Sequence, residues 1–96
     1  MPELDRIRQQ KDKILSISRQ HGIMNVRIFG SVARHEETPH SDIDLLVDLE
    51  PDRSLFDLGG ALVKLQELLG RKIDMVTEHG LHWYLKDTVI KEAKPL

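Results

Sequence analysis

Gly30-Ser31-Val32-Ala33-Arg34, followed by Asp42-Ile43-Asp44-Leu45-Leu46-Val47, is the stretch on which the reading of this chain turns; ten residues separate Ser31 from Asp42. Asn25-Val-Arg-Ile-Phe29 ahead of it reads as a short strand that ends at Gly30-Ser31. Residues 42–48 read as a buried strand with charged ends, so Asp42 and Asp44 share one face by the two-residue alternation of a strand. Thirty residues past Asp44, Lys72-Ile73-Asp74-Met75-Val76 carries another carboxylate in another apolar run. A small turn and three carboxylates are what phosphoryl or nucleotidyl transfer requires. The turn grips a polyphosphate without steric bulk, and the carboxylates hold hard cations through oxygen.

The remaining segments supply helices. Residues 3–20 carry Leu4, Ile7, Ile14 and Ile17 at helical spacing, interrupted by Lys11, with His21-Gly22 as the stop. Residues 31–37 have room for one or two helical turns, and residues 38–41 form a polar loop. Ser54, with Asp57 three residues on, opens a helix to about Leu69 with Leu55, Leu58, Leu62, Leu65 and Leu69 on one face. Gly59-Gly60 inside it should cost about 1 kcal/mol each against alanine. The pair is read either as a close backbone approach or as a tolerated weakness. Residues 72–77 form a third strand and residues 80–93 a last helix with Leu81, Leu85 and Val89 four apart. Residues 94–96 are a tail. The order is α-β-α-β-α-β-α, an α/β (α+β) chain. The helix between the second and third strands makes those two parallel, with a right-handed crossover, which sets Asp74 beside Asp44.

The 96 residues form one expected domain, 1–96, with one modest core and little room for a second lobe. Fourteen basic and sixteen acidic residues give a formal charge of −2, which argues against a large nucleic-acid footprint. There is no cysteine, so thiolate metal sites and disulfides are excluded. No apolar run reaches membrane-spanning length and no signal-peptide pattern opens the chain, which makes the cytoplasm the expected location.

Carboxylates flanked by Leu45-Leu46-Val47, or by Ile73 and Met75, are costly unless paired or metal-bound. Asp42, Asp44 and Asp74 are therefore read as a metal site for one or two Mg²⁺. Gly30 offers close approach and permissive dihedrals, and Ser31 a hydroxyl and an N–H at a helix start. Arg34, one turn on, suits a phosphate oxygen; its other reading is a surface arginine bridging Glu36 or Glu37. Lys72 reads as a surface cap.

The three phrases Gly30–Arg34, Ser41–Val47 and Leu69–Val76, with Val89-Ile90-Lys91-Glu92-Ala93 near the end, resemble the minimal nucleotidyltransferases of the DNA polymerase beta superfamily. The resemblance covers nearly the whole chain. It implies the nucleotidyltransferase fold, a three-stranded mixed sheet with flanking helices and the first strand antiparallel to the second. It implies that Gly30 and Ser31 hold the triphosphate of ATP; Arg34 and Ser41 are the further nucleotide-binding candidates. It also implies that Asp42 and Asp44 bind two Mg²⁺, and that Asp74 binds metal and helps activate the acceptor hydroxyl. Many members are antitoxins paired with an all-helical HEPN-domain ribonuclease toxin, and some transfer AMP to a toxin tyrosine. One departure stands out: the position after Arg34, often glycine in the family, is His35, which is strained if the turn needs positive φ. A protein adenylyltransferase acting on a HEPN toxin is the first reading. A stoichiometric antitoxin, or an enzyme with a small-molecule or nucleic-acid acceptor, are the others.

His79 and His82 lack an obvious third ligand and read as solvent-facing. Of Trp83 and Tyr84, one is expected in the core and the other is a candidate partner contact.

Overall fold

The computed structural model describes residues 3–96. Its elements are α1 (Glu3–Gln9), α2 (Lys11–Gln20), β1 (Ile23–Phe29), α3 (Gly30–Ala33), β2 (Ile43–Leu49), α4 (Leu55–Leu69), β3 (Ile73–Val76), a 3₁₀ turn (Glu78–Gly80), α5 (Trp83–Glu92) and β4 (Lys94–Pro95). β1 and β2 pair antiparallel, with Ile28 opposite Leu45 and Phe29 opposite Asp44. β2 and β3 pair in parallel, as the intervening helix requires, with Asp44 beside Asp74.

The sheet has four strands in the order β3-β2-β1-β4, one more than expected. The extra strand is the tail: Arg27 and Ile28 of β1 face Pro95 and Lys94, and Leu96 N–H donates to the Val26 carbonyl. Two residues are too few to carry a strand pattern, and their pairing comes only from the β1 edge beside them.

Alternation along β2 sends Ile43, Leu45 and Val47 into one core, where they meet Leu4, Ile7, Ile14, Ile23, Ile28, Ala61 and Leu65. The stripe of residues 3–20 is realised as two helices. The break at Gln10 keeps Lys11 exposed while Ile7 and Ile14 stay buried. The α4 face holds at Leu65, with Leu58, Leu62 and Leu69 half-buried, but its first residue, Leu55, is 77% exposed. The glycine pair in α4 divides in two. A Cβ on Gly60 would press on the His21 ring, whereas one on Gly59 would meet open space. Ser54 and Asp57 form the expected capping box.

The last helix departs most from expectation. Leu85 is exposed, and of the apolar residues named on α5 only Val89 is buried. Trp83 and Tyr84 are both exposed and pack edge to face on each other at 5.8 Å, so neither belongs to the core.

α3 ends in a reciprocal pair of bonds: Glu36 N–H donates to the Ser31 carbonyl and His35 N–H to the Val32 carbonyl. This Schellman ending places its turning residue in the left-handed region, normally glycine. His35 stands there at φ 59, the strained position anticipated from the sequence. His35→Gly should therefore raise stability by about 0.5–1 kcal/mol, the αL penalty less the entropy glycine adds to the unfolded chain. A higher urea midpoint with unchanged slope is the expected readout; a lower midpoint would show that the imidazole makes compensating contacts.

Candidate active site

β1 runs directly into α3, and the junction is Gly30, at φ +75. Register places Asp44 next to it, opposite Phe29. A Cβ on Gly30 would overlap the Asp44 carboxylate. Glycine is thus required twice, by its dihedral and by the carboxylate lying against its Cα. The approach expected from a phosphate is made, in the protein itself, by Asp44.

The parallel register sets Asp74 beside Asp44 on one sheet face, at the strands' N-terminal ends. Asp42 lies just before β2, with Lys72 Nζ 3.8 Å from its Oδ2. The three differ in setting. Asp44 is half-buried, Asp42 borders on exposed and Asp74 is exposed on the short strand β3, so the cost of burial falls on Asp44. Burial first, then the charges of Asp74 and Asp42, push the Asp44 carboxyl up to about 6; Arg34 pulls the other way and Glu92 adds to the rise. Among the described residues no cation stands within 4 Å of Asp44 or Asp74, and no group of three His, Asp or Glu side chains forms a closed cage for a metal. The donor set still fits Mg²⁺. It is all oxygen and carries excess negative charge, and Mg²⁺ is usually held by one or two carboxylates together with substrate phosphates rather than by an all-protein cage.

The other expected residues divide. The Ser31 hydroxyl, half-buried, makes no hydrogen bond among the described residues and is free for a ligand. Ser41 Oγ accepts from Thr38 N–H at 2.8 Å and lies 3.2 Å from Thr38 Oγ1, so it braces the loop before Asp42. Arg34 donates to Glu36 at 3.2 Å and to Glu92. Its guanidinium is engaged by two carboxylates, one of them a neighbour named as the surface alternative.

Spacing in the sequence assigns Glu92 no role. One of its oxygens accepts from Gly30 N–H at 2.8 Å and the other from Arg34. Burial works to raise its pKa, but those two hydrogen bonds outweigh it and hold the carboxyl below its ordinary value. Arg71 was likewise passed over. It donates to the carbonyls of Thr38 and Ser41 and pairs with Glu3 at 3.3 Å, tying the loop before Asp42 to α1. Neither residue could be found from spacing, because their partners lie 58–62 and 30–68 residues away in the chain.

A turn with a free serine hydroxyl beside two carboxylates in parallel register is joined by a decisive match: residues 7–96 fit the model of the nucleotidyltransferase domain family. The chain belongs to that family. It is a nucleotidyltransferase. A Methanocaldococcus jannaschii relative named "Putative protein adenylyltransferase MJ0435" is 41% identical over 87 residues, 91% of this chain and 94% of that one. Protein adenylyltransferase MntA of Thermococcus cleftensis is 35% identical over 72 residues, 75% of this chain and 73% of the relative. A solved structure named "putative minimal nucleotidyltransferase" superposes with a TM-score of 0.87 at 42% identity, covering 100% of this chain and 97% of that one. A chain from the crystal structure of a variant MntA-HpeT toxin-antitoxin pair superposes with a TM-score of 0.70 at 25% identity, covering 90% of this chain and 70% of that one.

Asp44 sets a pH dependence. Its folded-state pKa lies above the ordinary value of 3.8, so the folded chain binds the extra proton between about 4 and 6. That contribution to stability is complete below pH 4 and is lost as pH rises through 6. Asp44→Asn should therefore gain on the wild type between pH 4 and 7 in metal-free buffer, by about 1 kcal/mol after solvent screening. Urea titrations at both pH values measure the difference; a constant gap would mean that Asp44 does not titrate in this window.

Proposed function

We propose that this chain transfers AMP from Mg-ATP to a tyrosine hydroxyl of a partner toxin, one of the HEPN class, and thereby acts as its antitoxin. The observation that carries the reading is the Asp44–Asp74 pair in parallel register, with Gly30 of the Gly30-Ser31 turn lying against the Asp44 carboxylate. Membership of the nucleotidyltransferase family supports the reaction class. The names of the relatives support adenylyl transfer to protein, and the toxin-antitoxin likeness supports the kind of partner.

The roles follow from the placement of the side chains. Ser31 offers its free hydroxyl to a phosphate oxygen of ATP, with Gly30 leaving the backbone uncovered. Asp42 and Asp44 hold Mg²⁺, with Asp74 completing the set. Bound Mg²⁺ supplies charge neutralisation on the triphosphate and favours in-line displacement at the α-phosphorus. The acceptor oxygen forms the new P–O bond, pyrophosphate leaves with the electrons of the broken one, and the phenolic proton passes to Asp74. Asp74 is the exposed member of the three, on a short strand, where a hydroxyl carried by another protein can reach it. Orienting that hydroxyl accounts for several kcal/mol of a typical barrier, and here the partner does the orienting. A tyrosine fits because its phenol ionises more readily than an aliphatic hydroxyl and reaches further. Arg34 and Ser41 act from behind this arrangement, Arg34 through Glu92 and Ser41 through the loop before Asp42. No helix among the described residues is long and apolar enough to cross a membrane.

The test is mass spectrometry of the partner toxin after incubation with this chain and Mg-ATP. The expected result is a gain of one or more AMP units on a toxin tyrosine, abolished by Asp42→Asn with Asp44→Asn or by EDTA. Neutralisation of the toxin without a mass gain, and equally by the double variant, would replace the enzyme with a stoichiometric antitoxin.

A further inference from the structure

The C-terminal segment grips both ends of α3. Glu92 Oε2 accepts the Gly30 N–H at 2.8 Å, and Lys94 Nζ donates to the Ala33 carbonyl at 2.7 Å. A carboxylate meets the first N–H of the four-residue turn and an ammonium meets its last carbonyl, each with the charge that end favours. The second oxygen of Glu92 holds Arg34, the residue that caps the turn.

We propose that Glu92 and Lys94 are positioning residues for nucleotidyl transfer: together they clamp the Gly30–Ala33 turn so that the Ser31 hydroxyl faces the Asp44 edge before nucleotide arrives. The inference rests on the reading of Gly30-Ser31 as the phosphate-binding turn.

The alternative is that Glu92 is a stand-in for phosphate, filling the anion position until ATP displaces it. The backbone around Glu92 argues against this. Ala93 N–H bonds back to the Val89 carbonyl, Lys94 and Pro95 pair with Ile28 and Arg27, and Leu96 N–H reaches the Val26 carbonyl. Glu92 is thus stapled between a helix end and a strand. Withdrawing its carboxylate from Gly30 and Arg34 would leave a backbone N–H without its partner and the guanidinium with Glu36 alone. The Ser31 hydroxyl, by contrast, makes no hydrogen bond among the described residues that a ligand would have to break. The clamp also gives β4 a function: two residues of pairing suffice to hold Lys94 in place against β1.

The two alternatives predict opposite signs. Glu92→Ala should weaken Mg-ATP binding about tenfold by calorimetry, the worth of one charge-assisted hydrogen bond. Lys94→Met should act in the same direction. In the nucleotide-free chain, hydrogen exchange followed by NMR should show the Gly30 amide losing protection in Glu92→Ala, with the Ile28 and Leu45 amides unchanged. Arg34→Gln combined with Glu92→Ala should cost less than the sum of the two changes, since both act through one contact. Tighter binding by Glu92→Ala would overturn the clamp in favour of a phosphate stand-in. Unchanged binding, or loss of protection throughout the sheet, would overturn it in favour of a purely structural contact. A wild-type chain that binds no Mg-ATP would instead bring down the nucleotide reading on which the clamp rests, a result separable from any variant's behaviour.

Discussion

The contact between the Asp44 carboxylate and the Cα of Gly30 is the constraint around which the rest is arranged. It demands glycine at the end of β1, because any Cβ there would occupy the carboxylate's space. It demands the register that sets Phe29 opposite Asp44, and hence the irregularity between Met24 and Arg27 that absorbs the difference along β1. At that irregularity Asn25 adopts φ 52, a conformation asparagine tolerates better than most residues. The strained His35 closes the same turn three residues after Val32. Two unusual backbone positions thus flank one close approach. Strain of this kind persists where the surrounding structure over-determines it.

Electrostatics sets this contact apart from a core contact. Asp44 is held among Asp42, Asp74 and Glu92, and the nearest cations are diverted. Arg34 is spent on Glu92 and Glu36, and Lys72 reaches only Asp42, at 3.8 Å. Elsewhere the chain matches its charges locally, as in the pairing of Arg27 with Asp48 and Glu78 and of Arg53 with Glu50 and Asp57. At the carboxylate edge, Asp44 and Asp74 have no such pair among the described residues. Leaving negative charge uncompensated at a half-buried position costs stability in the free chain and creates affinity for a hard cation carrying phosphate. The apolar residues of α5 are mostly exposed, while its last residue reaches the Gly30–Ala33 turn.

Much of the fold was legible because it depends on local periodicity. Ile43, Leu45 and Val47 alternate, Ser54 and Asp57 cap, and Gly70 stops its helix in the left-handed region. These features are decided within a few residues of chain. The candidate carboxylates were legible for a related reason: an aspartate inside an apolar strand contradicts its surroundings and so marks itself. The contradiction is sharpest at Asp44, which is half-buried, and weaker at Asp74, which the short strand β3 leaves exposed. The exposed Trp83 and Tyr84 show the converse, since side-chain type implied burial of one of them, and no neighbouring element supplies it.

By itself, then, the sequence determined the three main strands and the longer helices, the parallel relation of β2 to β3 through a helical crossover, and the carboxylates that stand out against apolar neighbours. The tertiary structure alone decided which groups those residues meet. Gly30 was foreseeable as a permissive turn, but not as the seat of Asp44 on one side and Glu92 on the other. Arg34 carried two local readings, and a carboxylate 58 residues away settles most of its engagement. The fourth strand, the clamp on α3 and the hold of Arg71 on the loop before Asp42 have no periodicity and no motif. They are single contacts between segments far apart in the chain, and such contacts exist only once the sheet has closed and brought its edges together.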